Sequence, residues 1–369
     1  MEEIADIRGL LLADTPLIDT RAPVEFAKGS LPSAVNLPLM SDQEREQVGL
    51  CYKQYGQQAA IELGHQLVSG DVKSARVDAW REFIAAHPGA VLFCFRGGLR
   101  SEISQRWLSE AGVEIPRVRG GYKAMRTWLM QSLERIISHC ELLVIGGRTG
   151  CAKTELINHG NRGAPLPGSA DLEGLANHRG SAFGRRPGGQ PSQISFEMAV
   201  SVALLKLEAE GHRRIILEDE GRLIGRCAVP EPLHAAMKAA PLALLESDFE
   251  CRVSHSFHNY ILANLEEQRR YTESAAAAFE AFADGLRTAL KNISKRLGGA
   301  RYQALSATLE RAIAQHRING DPSLHRGWIA TLLADYYDPM YDYQLRHRLP
   351  QVCMRGRAEA LVARLTIGG

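Results

Sequence analysis

The sequence predicts an α/β protein of two parallel-sheet sections closed by a helical C-terminal region. Three observations predict it. Over residues 1–133, short apolar β-type runs alternate with helical patterns, as in parallel strands joined by crossover helices. A second set of strand-like runs, Glu141–Ile145 and Arg214–Leu217, flanks a Gly/Pro-rich span from Asn158 to Pro191, too polar and broken for a core. From about Phe257 onward the chain reads as helices with few turn signals. With 369 residues, 45% of them hydrophobic, the chain is long and apolar enough for more than one core. The expected sections are 1–133, 134–256 and 257–369, the last packed on the second.

In the first section the strands expected are Pro16–Asp19, Val91–Cys94 and Pro116–Arg119, with helices over Val77–Ala86 and Ser101–Glu110. In the third, SAAAAFEAF is strong helix former. Lys and Arg number 44 against 42 Asp and Glu, so an anionic partner must be met by local patches and not by a global field. The acidic opening MEEIADIRGLLLADTP does not resemble a leader, and no apolar run reaches the ~18–20 residues of a membrane span. Seven scattered cysteines without a CxxC pair argue against a disulfide framework and a zinc site. The expected setting is therefore a reducing cytoplasm, with no membrane partner and no resident metal.

The stretch VLFCFRGGLRSEISQRWL (91–108) carries the first chemical signal. A strand delivering Cys94 into a loop, with a helix beginning at once, gathers orphan backbone N–H groups around the sulfur and favours an anion there. Gly97 and Gly98 keep the cup free of side chains, while Arg96 and Arg100 add positive charge. The bland alternative is a structural cysteine at a strand end. The spacing C-x₅-R fits both phosphate-cradling cysteine phosphatases and persulfide-carrying sulfurtransferases.

The second signal is GGRTGCAKT (146–154), set between strand-like ELLVI and TELINH, the context of a Walker A phosphate loop. Gly147, Thr149 and Gly150 supply backbone donors, Lys153 a cation, and Thr154 a hydroxyl placed to face Mg if the metal is present. Ala152 stands where the usual pattern has glycine, which puts nucleotide-type geometry in doubt yet leaves a diphosphate cradle. The run IIL followed by Glu218, Asp219 and Glu220 resembles the acidic strand end that partners such loops; a solvated acidic turn is the alternative. Between them, DLEGLANHRGSAFG (171–184) and QPSQISFE (190–197) place His178, Arg179, Ser181 and Gln193 as polar candidates for the same site.

Family resemblance then narrows the choice. LIDTRAPVEFAKGSLPSAVNLP (17–38) resembles the rhodanese entry motif, with Asp19, Arg21, Glu25, Gly29, Ala34, Asn36 and Pro38 in order. RVRGGYKAMRTWL (117–129) resembles the turn that closes such domains, and Phe93 replaces the histidine usual in the phosphatases. The expected fold is thus a rhodanese-like sheet followed by a P-loop α/β domain with a helical extension. That order, together with GLCYKQYGQQAAIELGHQLVSG (49–70), FCFRGGLRS, GGRTGCAKT, ANHRGSAFG, ILEDEGRLIG (216–225) and YYDPMYDYQL (336–345), resembles the tRNA 2-selenouridine synthase family over nearly the whole chain.

The resemblance implies a transferase acting on tRNA wobble 2-thiouridine. Its sulfur is first alkylated from geranyl diphosphate, and selenium from selenophosphate, or from the enzyme supplying it, then replaces the S-geranyl group. Cys94 becomes the selenium-handling nucleophile, and the Gly147–Thr154 loop holds a diphosphate without hydrolysing a nucleotide. No tightly bound cofactor is implied, with Mg as an optional companion. Two other readings stay open: a sulfurtransferase or cysteine phosphatase fused to an NTP-binding module, and a non-catalytic anion sensor. For tRNA, the basic candidates are Lys291, Lys295 and Arg301, then Arg346, Arg348, Arg355 and Arg357 in the tail. Charge runs are usually solvated faces, and Tyr336, Tyr337, Tyr341 and Tyr343 fit base stacking or helix packing equally.

Overall fold

The computed structural model describes residues 2–366, which fall into two compact units. The first comprises residues up to Arg135 together with Ser192–Ala209; the second comprises Ile136–Pro191 and the chain from Glu210 on.

The first unit is a five-stranded parallel sheet of β1 (Glu3–Ile4), β2 (Leu17–Asp19), β3 (Ala34–Asn36), β4 (Val91–Phe93) and β5 (Arg117–Val118), in the order β1-β5-β4-β2-β3. β2 and β4 are buried throughout, which is why they read as plain apolar runs. Helices Asp42–Leu67, Gly70–Ala86 and Leu99–Glu110 supply much of its core: Ile18, Leu92, Trp80, Trp107 and Leu108 pack together, and Trp80 donates to the Leu37 carbonyl at 2.9 Å. Asp42–Leu67 starts on a capping box, Ser41 and Glu44 satisfying each other's backbone N–H groups, and is broken by Gly56 at φ 84°.

The second unit contains β6 (Glu141–Gly146), β7 (Ser169–Ala170), β8 (Arg214–Glu218), the hairpin β9 (Leu223–Ile224) and β10 (Cys227–Ala228), β11 (Leu242–Leu245) and β12 (Val352–Gly356). Its parallel sheet runs β12-β11-β6-β8-β7. β6 and β8 are neighbours, with Ile145 opposite Glu218, so the glycine-rich loop after β6 and the acidic end of β8 emerge side by side. A helical bundle with Phe183, Phe282, Leu309, Trp328 and Ile329 at its heart completes the unit.

Two departures from the sequence-based expectations stand out. Helix Gln193–Ala209, expected within 134–256, belongs to the first unit, where seven of its side chains, including Phe196, Met198 and Leu204, are buried. The third section is not wholly helical: β12 lies inside it and pairs with β11 as the sheet's edge strand. Its burial alternates between half-buried and exposed, so VCMRG has no apolar run to announce it. Among the described residues no helix is long and apolar enough to cross a membrane, and all seven cysteines are free.

Candidate active site

Cys94 follows β4 directly and is buried, its Sγ 3.2 Å from the Ser101 hydroxyl and 3.8 Å from the Gly98 carbonyl. Helix Leu99–Glu110 begins two residues earlier than expected, capped by Gly98, so its first turn opens beside the sulfur. The loop is held by the turn after β5: Tyr122 N–H donates to Cys94 O and Lys123 N–H to Phe95 O, both at 2.9 Å. Gly97 sits at φ 66°, where a Cβ would come within 2.7 Å of Gly120 N. Only glycine fits there.

Arg96 is exposed, whereas Arg100 turns to Glu25, donating at 2.6 and 3.2 Å. Burial alone would raise the Glu25 carboxyl, but the Arg100 bonds outweigh it and hold it below its usual range. Arg45 also reaches Glu25, at 3.1 Å. Beneath the loop lies a buried Asp19–Arg21 pair at 2.5 Å, with the Arg21 guanidinium 3.7 Å from the Tyr122 ring centre. A groove of about 800 Å³ runs from Arg96, Leu99 and Arg100 along helix Asp42–Leu67, lined by Leu50, Ile61 and Trp107.

In the second unit the 146–154 segment forms a loop from β6 into helix Lys153–His159. Gly150, at φ 83°, admits no Cβ: Ser256 Oγ and Arg252 O would lie at 2.6 and 2.7 Å. Ala152 adopts the left-handed conformation itself, φ 67° and ψ 41°, so the missing glycine costs strain and not shape. The loop is braced from behind. Arg252, buried, donates Nε–H to Thr149 O at 3.1 Å and both Nη groups to Asp338, while Arg148 grips Asp342 at 2.8–3.0 Å.

The loop faces a cavity of about 650 Å³ lined by Lys153, Thr154, Glu173, Glu220, His178 and Tyr341, among others. Lys153 donates to the Gly147 carbonyl at 3.3 Å. Burial would lower its pKa, but Cys151, Glu220, Glu173 and Glu218 drive it up, so it stays charged. The Thr154 hydroxyl donates to Glu173 at 2.8 Å. Glu173, Glu218 and Glu220 bring one carboxylate oxygen each within 4.8 Å of one another. Burial and mutual repulsion raise all three, Glu220 to about 8.

On the cavity's other wall, His178 is buried with Nδ1 unpartnered, and burial with the charges of Arg179, Arg186 and Arg185 pushes it down to about 4. Arg179 donates to Glu267 at 2.6 Å. The Ser181 hydroxyl accepts from Phe183 N–H at 3.1 Å.

A family model described as the tRNA 2-selenouridine synthase AAA domain matches residues 140–367. The chain is 56% identical to a tRNA 2-selenouridine synthase of Hahella chejuensis, covering 98% of this chain and 93% of that one. It is 50% identical to those of Pseudomonas syringae pv. tomato and Cupriavidus necator, over 95% and 97% of its length and 94% and 96% of theirs. The chain belongs to the tRNA 2-selenouridine synthase family.

In this member of the tRNA 2-selenouridine synthase family the structure sorts the sequence-derived candidates. Gly147, Thr149, Gly150, Lys153, Thr154, His178, Arg179, Ser181 and Asp219 all line the one cavity, and Glu218 lies buried at the end of β8 beside it. Gln193 does not: it lies on the helix of the first unit and donates to Glu197 at 3.0 Å. Asp219 is tied by an ion pair to Arg348, which also donates to Met237 O, so Arg348 locks the tail onto the sheet and is not a free surface cation. Arg357 is exposed but pairs with Asp248 at 2.8 Å. Lys291, Lys295, Arg301, Arg346 and Arg355 are exposed. Sequence reasoning missed Glu173 and Arg252, and named Tyr341 only for base stacking or helix packing. Glu173 had a signal, lying in DLEGL within the chosen motif, and Tyr341 stood in the quoted YYDPMYDYQL; Arg252 stood in no motif.

Proposed function

We propose that this chain converts 2-thiouridine at the wobble position of tRNA into 2-selenouridine in two transferase steps in the cytoplasm, with a rhodanese-type first unit. The observation that supports it is that one chain of this family carries a buried cysteine at a strand–loop–helix junction in one unit and a phosphate-type loop in the other.

In the first step the thiouridine sulfur attacks C1 of geranyl diphosphate, the C1–O bond breaks, and diphosphate leaves. Lys153 and the N–H groups of the Gly147–Thr154 loop suit that leaving group, because a charged amine and oriented donors stabilise phosphate oxygens. In the second step Cys94 attacks the phosphorus of selenophosphate, the P–Se bond breaks and selenide is released at the loop. Selenide attacks C2, the geranyl sulfur departs as a thiolate, and water then takes the phosphoryl group from Cys94 as phosphate. The first turn of helix Leu99–Glu110 opens beside the sulfur, and its free backbone N–H groups suit an anionic substrate there. Alkylation supplies what a thiocarbonyl lacks, a competent leaving group. For tRNA, the exposed Lys291, Lys295, Arg301, Arg346 and Arg355 are the contacts proposed.

The test is to incubate the protein with 2-thiouridine tRNA and geranyl diphosphate, then with selenophosphate, and to identify the nucleosides by mass spectrometry. S-geranyl-2-thiouridine followed by 2-selenouridine is expected. Nucleotide hydrolysis stimulated by tRNA, with no geranylated product, overturns the proposal.

A further inference from the structure

We propose that Glu173, Glu218 and Glu220 form a binding site for a hard divalent cation, Mg²⁺ or Mn²⁺, at the edge of the phosphate loop. The three side chains come from separate places: the short helix Leu172–Leu175, the last residue of β8, and the turn after it. They still present one oxygen each within 4.8 Å of one another. Oxygens on opposite sides of a bound Mg²⁺ stand about 4.2 Å apart, so small side-chain adjustments bring all three into reach of one ion.

The decisive feature is Glu218. It is 0% exposed, and neither of its carboxylate oxygens has a hydrogen-bond partner. A fully buried carboxylate left without any partner is costly, and natural proteins pair such groups or give them a metal. Nearby cations offset this only in part. Lys153 attracts the three carboxylates but, among the described residues, makes no ion pair within 4 Å and donates to the Gly147 carbonyl. Arg348 is taken by Asp219.

Neighbouring bonds orient the site. Thr154 donates to Glu173 Oε2 at 2.8 Å, so here the hydroxyl positions a carboxylate, and the carboxylates are the ligands. An all-oxygen set of negative ligands selects Mg²⁺ or Mn²⁺ over zinc or copper. The cavity-lining Glu173 and Glu220 put the ion where it faces the loop's anion. That last role rests on the diphosphate proposal; the cation site rests on the carboxylates alone.

The experiment is a Mn²⁺ titration of the intact chain followed by electron paramagnetic resonance, with and without inorganic diphosphate. One Mn²⁺ per chain is expected, displaced by Mg²⁺ and tightened by diphosphate. Glu173→Gln and Glu218→Gln should each weaken it about tenfold or more. Glu173 is half-buried, so Glu173→Gln carries the test if Glu218→Gln fails to fold. Absence of Mn²⁺ uptake, or unaltered affinity in folded variants, overturns the site. Geranyl diphosphate binding measured in a chelator separates the two proposals. Mn²⁺ uptake without any geranyl diphosphate binding leaves the cation site standing and removes the prenyl substrate. Geranyl diphosphate bound equally in the chelator, with no Mn²⁺ uptake, does the reverse.

Discussion

Ala152 illustrates how a single residue is tolerated in a demanding place. An L-residue held at φ 67° carries left-handed strain of roughly 1–2 kcal/mol, which glycine would relieve at some cost in unfolded-state entropy. Ala152→Gly should therefore leave stability unchanged or raise it by up to about 1 kcal/mol, seen as an unchanged or higher Tm, with geranylation retained. A loss of more than about 1 kcal/mol would mean that the Ala152 methyl makes packing contacts that matter more than its backbone. The same scale shows what residue types alone reveal. Cys94, Gly97 and Lys153 were legible because a motif requires them where they stand. Glu173 looks like an ordinary charged residue in sequence, whereas Glu218 stands out only as an acid at a strand end, and burial is what separates it from a solvated acidic turn.

At the scale of elements, the phosphate loop depends on pieces distant in sequence. Arg252, on helix Phe249–Phe257, joins Thr149 O to Asp338, and the pair is nearly dry, at 3% and 15% side-chain exposure. Removing one partner strands the other, so Asp338→Ala should cost about 3–5 kcal/mol in denaturant unfolding and weaken diphosphate binding. Retained stability with unaltered binding would show that the loop holds its shape without the brace. Fully buried strands β2 and β4, and the largely buried β6 and β8, were legible as apolar runs, and their helices by period. β12 was not, because an edge strand with alternating half-buried positions carries little apolar signal. Helix Gln193–Ala209 was assigned to the wrong unit because adjacency in sequence stood in for packing, which an almost uniformly apolar helix does not encode by its own pattern.

For the whole molecule, titration and charge yield two expectations. His178 and His325 are buried and held near 4, the latter by burial and by His316, with rings 5.5 Å apart. Each binds a proton more readily in the unfolded chain, whose ordinary value is 6.5, so their contribution is complete above that pH and is lost as pH falls toward 4. Glu220, raised to about 8, acts with the opposite sign, its contribution being lost as pH rises from 4.5 to 8. Thermal melts should show that a His178→Gln, His325→Gln variant loses less Tm, or gains more, than the wild type on acidification below about pH 6.5. An identical acid limb in that variant would assign the loss to other groups.

The near-balanced charge of the chain means that tRNA affinity must come from local cations. Arg346→Glu with Arg355→Glu should weaken tRNA binding and lower its salt slope by about 0.7–0.9 for each phosphate no longer neutralised. A folded variant with unchanged slope removes the tail as an RNA surface.

The measurement that bears most directly on the central claim is the nucleoside profile of a Cys94→Ala variant given 2-thiouridine tRNA, geranyl diphosphate and selenophosphate together. Cys94 is the proposed selenium-handling nucleophile, and it belongs to the unit that does not carry the phosphate loop. The predicted profile is S-geranyl-2-thiouridine accumulating at close to the wild-type rate, with 2-selenouridine absent. Formation of 2-selenouridine at the normal rate by this variant would contradict the account.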